Sequence, residues 1–468
     1  MAGRRTSTGW GASIAAIGRA ELALLASLVL AVMLFGGSSR YDVMQNALMQ
    51  PIAWLVAGCA LLVMTRETLR PLRVPLAMLL ALVAIMALQL VPLGHGLWTS
   101  LPGRAPLAAI AAALGDDAAR PASMVPWRTA NAFASLGIPL AALLVMAALG
   151  RKAVMPVLVC LVLLATANSL LAIMQIASGY AEATYPYAVT NDGAPVGIFA
   201  NRNHSAVFGA LAMLVIGFLA TRDPRERPAG ADILLWSAFG AIFLTILVNG
   251  SRAGMLTAGI ALVTTAWLVH RRIASQPARP GMTGRQQQLA RYLPTAVILV
   301  SAVGLVTLFV FADRLTAYQR MVESNPLEDL RFKILPVLGD MITGYFPVGI
   351  GFGGFEDVYR IHETGDLLGP RYLNMAHNDW LQWLIEGGLP GALLLLVLLG
   401  WLAFHCWRLR KVSYSWFVLG AAGIAIIALA SYFDYPLRTP LFQVAATWFV
   451  CVLALVERRP TREGDDIA

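Results

Sequence analysis

Residues 153 to 176, AVMPVLVCLVLLATANSLLAIMQI, run for 24 positions without a charged side chain. A hydrocarbon layer about 30 Å thick is crossed by roughly 20 apolar residues in a helix. Within lipid every backbone N–H and C=O must be bonded inside the protein, which leaves helices or closed barrels as spanning structures. Comparable stretches recur near 20–36, 51–65, 74–93, 130–149, 204–221, 231–248, 253–270, 293–312, 389–408, 415–431 and 438–456, about twelve in all. Of the 468 residues 58% are hydrophobic and 13% charged, and the mean hydropathy is +0.68, far from soluble composition. The expected class is all-α: a polytopic membrane protein with about 12 transmembrane helices, surrounded by membrane lipids.

The first stretch follows Arg4, Arg5 and Arg19, as a secretory signal would, but no small-residue cleavage site follows LAVMLFGGSSR, so it reads as an uncleaved helix. Cys59, Cys160, Cys406 and Cys451 lie in or at the ends of apolar helices without a C-x-x-C spacing, which suits packing and implies neither disulfide nor zinc. The net charge of +9 does not mark a nucleic-acid partner, because no basic domain stands outside the spans.

Orientation accounts for much of that excess. Every second connection is basic: TRETLRPLR at 65–73, GRK at 150–152, TRDPRER at 221–227, the stretch 271–291, WRLRK at 407–411 and ERRPTR at 457–462. Short basic loops remain cytoplasmic. Both termini are then expected inside, and 37–50, 94–129, 177–203, 249–252, 313–388 and 432–437 outside. The interval 313–388 is the longest polar one, and loops of that length are functional or disordered. Its aromatic and apolar content argues against disorder. LEDLRFKILPVLGDMI spaces Leu330, Ile334, Leu338 and Ile342 at helical intervals, so short helices are expected there.

No Walker lysine motif, no H-E-x-x-H and no D-x-D is present, which disfavours nucleotide and metal chemistry and implies no cofactor. GIGFGG at 349–354 satisfies G-x-G-x-x-G, but no βαβ unit surrounds it, and a glycine-flexed turn explains it better.

Arginines on the outer side form the first candidate set: Arg202, Arg252, Arg314, Arg320, Arg331, Arg360 and Arg371. At a membrane boundary an arginine either snorkels to water or holds an anion. Arg252 is the clearest case for an anion, since its turn between two long apolar helices has only a few residues. Guanidinium groups grip phosphate oxygens in pairs and keep their charge, so several around one cavity would suit a diphosphate. Asn201, Asn203, Asn249 and Ser251 in the same turns either cap helices or meet sugar hydroxyls.

NMAHNDWLQWLIEGGLPG at 374–391 sets a second polar cluster on the same face. WLQWLIE reads as a short helix ended by the two glycines, with Pro390 starting the next membrane helix. His377, Asn378 and Asp379 stand at its start, where capping is one role. An imidazole is also the side chain best matched to general-base work near neutrality, and Asn378 beside it could orient a substrate.

Counted from His377, the stretch reads H-N-x9-G-x-x-G, closing on Gly388 and Gly391. This resembles the H-[NSQ]-x9-G-x-x-[GTY] signature of the O-antigen ligases, a family related to O-antigen polymerases and bacterial protein O-oligosaccharyltransferases. GIFANRNHSA, NGSRAG and the run from Arg331 to FPVGIGFGGF appear in the order of that family. The resemblance covers about 197–391 and divides the chain into N-terminal helices (1–196), an O-antigen ligase-like core with the periplasmic loop 313–388 (197–391), and C-terminal helices with a cytoplasmic tail (392–468).

The resemblance implies a metal-independent, inverting glycosyltransferase of the bacterial inner membrane. Its donor would be a glycan on undecaprenyl diphosphate. Its acceptor would be lipid A core for a ligase, or a second lipid-linked glycan for a polymerase of lipopolysaccharide or exopolysaccharide. His377 would activate the acceptor hydroxyl. Arg252 and Arg331 would bind the donor diphosphate with Arg202 and Arg320, and Asn201, Asn203 and Asn378 would orient substrate. The alternative is a polytopic transporter or flippase for lipid-linked glycans, against which stands the absence of visible internal repeats.

Overall fold

The apolar stretches fold as helices because that conformation bonds each backbone group to its own segment. A computed structural model describes residues 15–223, 226–275, 333–365, 367–368 and 373–457, with isolated positions between 288 and 307. Among these, nine helical stretches are long and apolar enough to cross a membrane. One of the nine, Pro126–Ala177, contains two of the expected spans on either side of Gly150. The Arg19–Phe35 helix has 17 residues and corresponds to the first expected span. The span expected at 293–312 falls almost wholly outside the described residues. The chain is a multi-pass, all-α membrane protein, and its one strand pairing among the described residues joins Pro92–Leu93 to Arg120–Pro121.

Leucines on the bundle exterior, such as Leu62 at 87% and Leu234 at 73% exposed, would be costly in water and are at ease in lipid. The interior is built on the Arg202–Ala220 helix, buried continuously from His204 to Leu219. It packs against the Val154–Ala177, Ala231–Asn249, Arg252–Ala274 and Tyr414–Phe433 helices. Small residues permit the closest of these contacts: a Cβ on Gly217 would lie 2.2 Å from the Thr265 Oγ1.

Connections from six parts of the chain meet at one end of the bundle. Ala200 N–H donates to the Gly37 carbonyl at 3.0 Å, Leu441 N–H to that of Gly36 at 2.9 Å, and Gly37 N–H to the Tyr187 hydroxyl at 2.7 Å. Ser251 Oγ donates to Asn203 Oδ1 at 2.8 Å, and Met124 N–H to the Ile350 carbonyl at 2.9 Å. Two short helices, Leu335–Tyr345 and Phe355–His362, lie in the described part of the long interval. The first contains Leu338 and Ile342 as their spacing anticipates but starts at Leu335, while Leu330 is outside the described residues. Leu338, Met341, Phe355, Val358 and Ile385 form a small apolar core that fastens both to the bundle.

Candidate active site

His377 stands two residues before the Asp379–Val412 helix, at φ +50°, in the left-handed region that side chains other than glycine and asparagine rarely enter. Asn378 is the N-cap, and its Oδ1 accepts from Leu381 N–H at 3.1 Å. The helix is broken at Gly388 (φ +54°, ψ −146°), so a short mount for His377 precedes the long membrane segment, as the doubled glycine suggests. A Cβ on Gly388 would come 2.2 Å from the Pro347 carbonyl oxygen. The glycine-rich run lies against this break: Gly351 N–H donates to the Glu386 carbonyl at 3.1 Å, and Ile350 N–H to that of Ile385 at 3.0 Å. Its glycines therefore serve close backbone packing. Arg104, fully buried, donates to the carbonyls of Pro102 (2.8 Å), Ala122 and Gly349 (3.0 Å), tying the 91–125 connection to the same run.

The His377 ring is fixed from a distant turn. Its Nδ1 is 3.2 Å from Asp434 Oδ1, and the Tyr435 ring meets it edge-on at 4.8 Å. Asp434 is 1% exposed and is the hub of the cluster. Its Oδ2 accepts from Asn203 Nδ2 at 2.6 Å and from Asn201 Nδ2 at 3.5 Å; Tyr435 N–H donates to its Oδ1 at 3.0 Å. His204 Nε2 lies 3.9 Å from Oδ1, while the other ring nitrogen of His204 bonds Thr439 Oγ1 at 2.8 Å. Asn203 in turn accepts from Ser251, so the turns holding Asn201–Asn203, Ser251–Arg252, His377 and Asp434 are joined by hydrogen bonds. With the carboxylate at Nδ1, the proton belongs on that nitrogen and Nε2 carries the lone pair.

Arg202 and Arg252 each occupy the first position of a helix, after the N-caps Asn201 and Ser251. The macrodipole makes that end of a helix positive, an unfavourable place for a cation and a favourable one for an anion. Both helix starts adjoin the His377–Asp434 cluster through the hydrogen bonds of Asn203 to Asp434 and of Ser251 to Asn203. Arg320 and Arg331 lie outside the described residues. Asn201 caps its helix and its amide also approaches Asp434, while Asn378 caps the helix that follows His377.

A second charged group adjoins the first. Arg438 Nε is 3.3 Å from Asp379 Oδ1, and its Nη2 is 3.0 Å from Glu386 Oε2. Burial works against the Arg438 charge, but the Glu386 and then the Asp379 carboxylates outweigh it and hold the guanidinium above its ordinary value. These three residues line one part of a cavity of about 460 Å³ whose walls include Leu82, Leu399 and Ile427. Sequence reasoning missed Asp434 and Arg438. The available signal was FDYPLRTP, an aspartate and an arginine in a short turn between two apolar helices on the same expected face.

Fold and site together define a multi-pass helical membrane protein with a histidine–aspartate pair where its polar connections converge. Residues 236–396 match the family model described as O-antigen ligase, which bears out the resemblance read from H-N-x9-G-x-x-G. The match carries a membrane glycosyltransferase-type function in O-antigen or polysaccharide assembly, and it includes Arg252 and His377 while Asn203 and Asp434 stand outside it. No curated protein matches the chain.

Proposed function

We propose that the chain transfers a glycan from undecaprenyl diphosphate to an acceptor hydroxyl at the periplasmic face of the bacterial inner membrane. The observation that carries this reading is the His377–Asp434 pair at the end of the bundle where Arg202 and Arg252 begin their helices. His377 Nε2 takes the proton of the acceptor hydroxyl as its oxygen attacks the anomeric carbon. The bond from that carbon to the diphosphate oxygen breaks, and undecaprenyl diphosphate leaves with the electron pair. Attack opposite the leaving group inverts the anomeric centre. Asp434 holds the ring in the required tautomer and stabilises the imidazolium that forms.

The diphosphate is already anionic and gains one further negative charge as the bond breaks, so the protein has to hold that charge rather than create a leaving group. Arg252 and Arg202, reinforced by their helix dipoles, perform this task with Arg331 and Arg320, without a metal ion. Asn201, Asn203 and Asn378 orient the sugar and the catalytic cluster. The reacting carbon of such a donor is only a diphosphate away from its prenyl chain. In support of this reading, an apolar cavity of about 460 Å³ that could take that chain is lined by Met375 and Asp379, on either side of His377 in sequence. Lipid A core, or a second lipid-linked glycan, supplies the acceptor hydroxyl.

The decisive experiment is transfer by purified protein from a defined undecaprenyl diphosphate glycan, in the presence of EDTA, with each acceptor offered separately. Product with an inverted linkage is expected without added metal. A requirement for metal, or hydrolysis of the donor with no transfer to any hydroxyl acceptor, would overturn the mechanism.

A further inference from the structure

His377 is held at a positive φ that residues other than glycine adopt uncommonly, and the hydrogen bonds on either side of it lead to Arg438. Ala376 N–H, immediately before it, donates to Gln382 Oε1 at 2.9 Å, and Gln382 Nε2 donates to Glu386 Oε1 at 2.9 Å. Asp379 N–H, two residues after it, reaches the Asp434 carbonyl at 3.3 Å. Arg438 bridges both sides, with Asp379 at 3.3 Å and Glu386 at 3.0 Å, and it sits in the same turn as Asp434. Glu386 is fully buried, so this guanidinium is the group that compensates its charge.

The His377 segment precedes and the turn 434–439 follows the helical pair Asp379–Val412 and Tyr414–Phe433, so no local backbone connection keeps the two in register. Asp434 reaches His377 at 3.2 Å and the Tyr435 ring meets it edge-on at 4.8 Å, and both come from the turn that leads into Arg438. A planar guanidinium with two carboxylate partners fixes direction as well as distance, which an ammonium does not.

We infer that Arg438 is a positioning residue: with Asp379, Glu386 and Gln382 it clamps the His377 segment onto the Asp434 turn and sets the geometry of the general base. This inference rests on the reading of His377 as that base. The clamp touches no reacting atom, so its loss acts on the chemical step through His377. A displacement of about 1 Å at a catalytic group lowers turnover on the order of 100-fold.

The test compares wild type with Arg438→Lys, which keeps the charge without the fork, and with the neutral triple variant Asp379→Asn/Glu386→Gln/Arg438→Gln, which leaves no uncompensated buried charge. Monodisperse elution and melting temperature establish folding for both. Expected for each is a single-turnover rate with saturating donor reduced about 100-fold, so that the loss is read in the chemical step whatever happens to donor affinity. Faster modification of His377 by diethyl pyrocarbonate, read by mass spectrometry, is expected alongside. A wild-type single-turnover rate with an unchanged modification rate in either folded variant overturns the inference. A His377→Ala control separates the two ideas: full transfer by that variant removes the catalytic reading, while the modification rates still report on the clamp.

Discussion

His377 Nδ1 and Asp434 Oδ1 lie 3.2 Å apart although 57 positions separate the residues in sequence. The aspartate sits in the short turn between the Tyr414–Phe433 and Pro440–Glu457 helices, so the pair exists only when the last two spans are docked. Asp434→Asn preserves the shape of the side chain and removes the charge that fixes the imidazole tautomer. Transfer is expected to fall by about 10²- to 10⁴-fold, the range of general-base contributions, with the protein level unchanged. His377→Ala should do at least as much, and single-turnover rates with saturating donor would show both losses in the chemical step.

Arg252→Ala and Arg202→Ala should act on binding instead. Removing one charge-assisted contact to a diphosphate weakens affinity by roughly 10- to 100-fold. Titration of each variant with undecaprenyl diphosphate would show this, and Arg→Lys at position 252 should recover only part of it because the fork is lost. Unchanged affinity at both positions would remove them from the donor site.

Gly351 tests whether the glycine-rich run is packing or ligand cradle. At φ +95°, its Cβ would stand 2.4 Å from Ser123 Oγ, where backbone strain and overlap combine. Gly351→Ala is expected to lower stability by about 1–3 kcal/mol, visible as a lower melting temperature. Donor affinity of the fraction that remains folded should be unaltered, since no ligand contact is lost.

His362 makes one end of the extramembrane layer sensitive to pH. Burial pulls its pKa below the ordinary 6.5, with Asp340 opposing in part, and its Nε2 is 2.8 Å from the Tyr345 hydroxyl. Between the folded and unfolded values the unfolded chain binds a proton that the folded chain refuses, so stability rises with pH across that window. Raising the pH from 5.5 to 7.5 should therefore increase amide protection factors in 335–362, taken relative to intrinsic exchange, and His362→Gln should flatten the dependence. Exchange that speeds up with pH beyond its intrinsic base catalysis would contradict the sign.

Much of the fold was legible in local pattern. Apolar runs of the required length, basic connections at every second loop and the doubled glycine before Pro390 each depend on residues near one another in sequence. They anticipated helical spans, the convergence of six connections at one end and the short mount before Gly388. The H-N-x9-G-x-x-G spacing located His377 for the same reason, because the motif follows one continuous helix start.

Tertiary structure alone decided what surrounds that histidine. Asp434 reaches it directly, Asn203 through Asp434 and Ser251 through Asn203, from three different turns, and the Arg438 group joins segments whose separation in sequence carries no period. A lone aspartate in FDYPLRTP has the same local appearance whether it faces solvent or a buried imidazole. Its burial follows from how the helices pack. Local chemistry fixes which segments become helices and where they end; the free energy of packing those helices selects which polar ends are brought face to face.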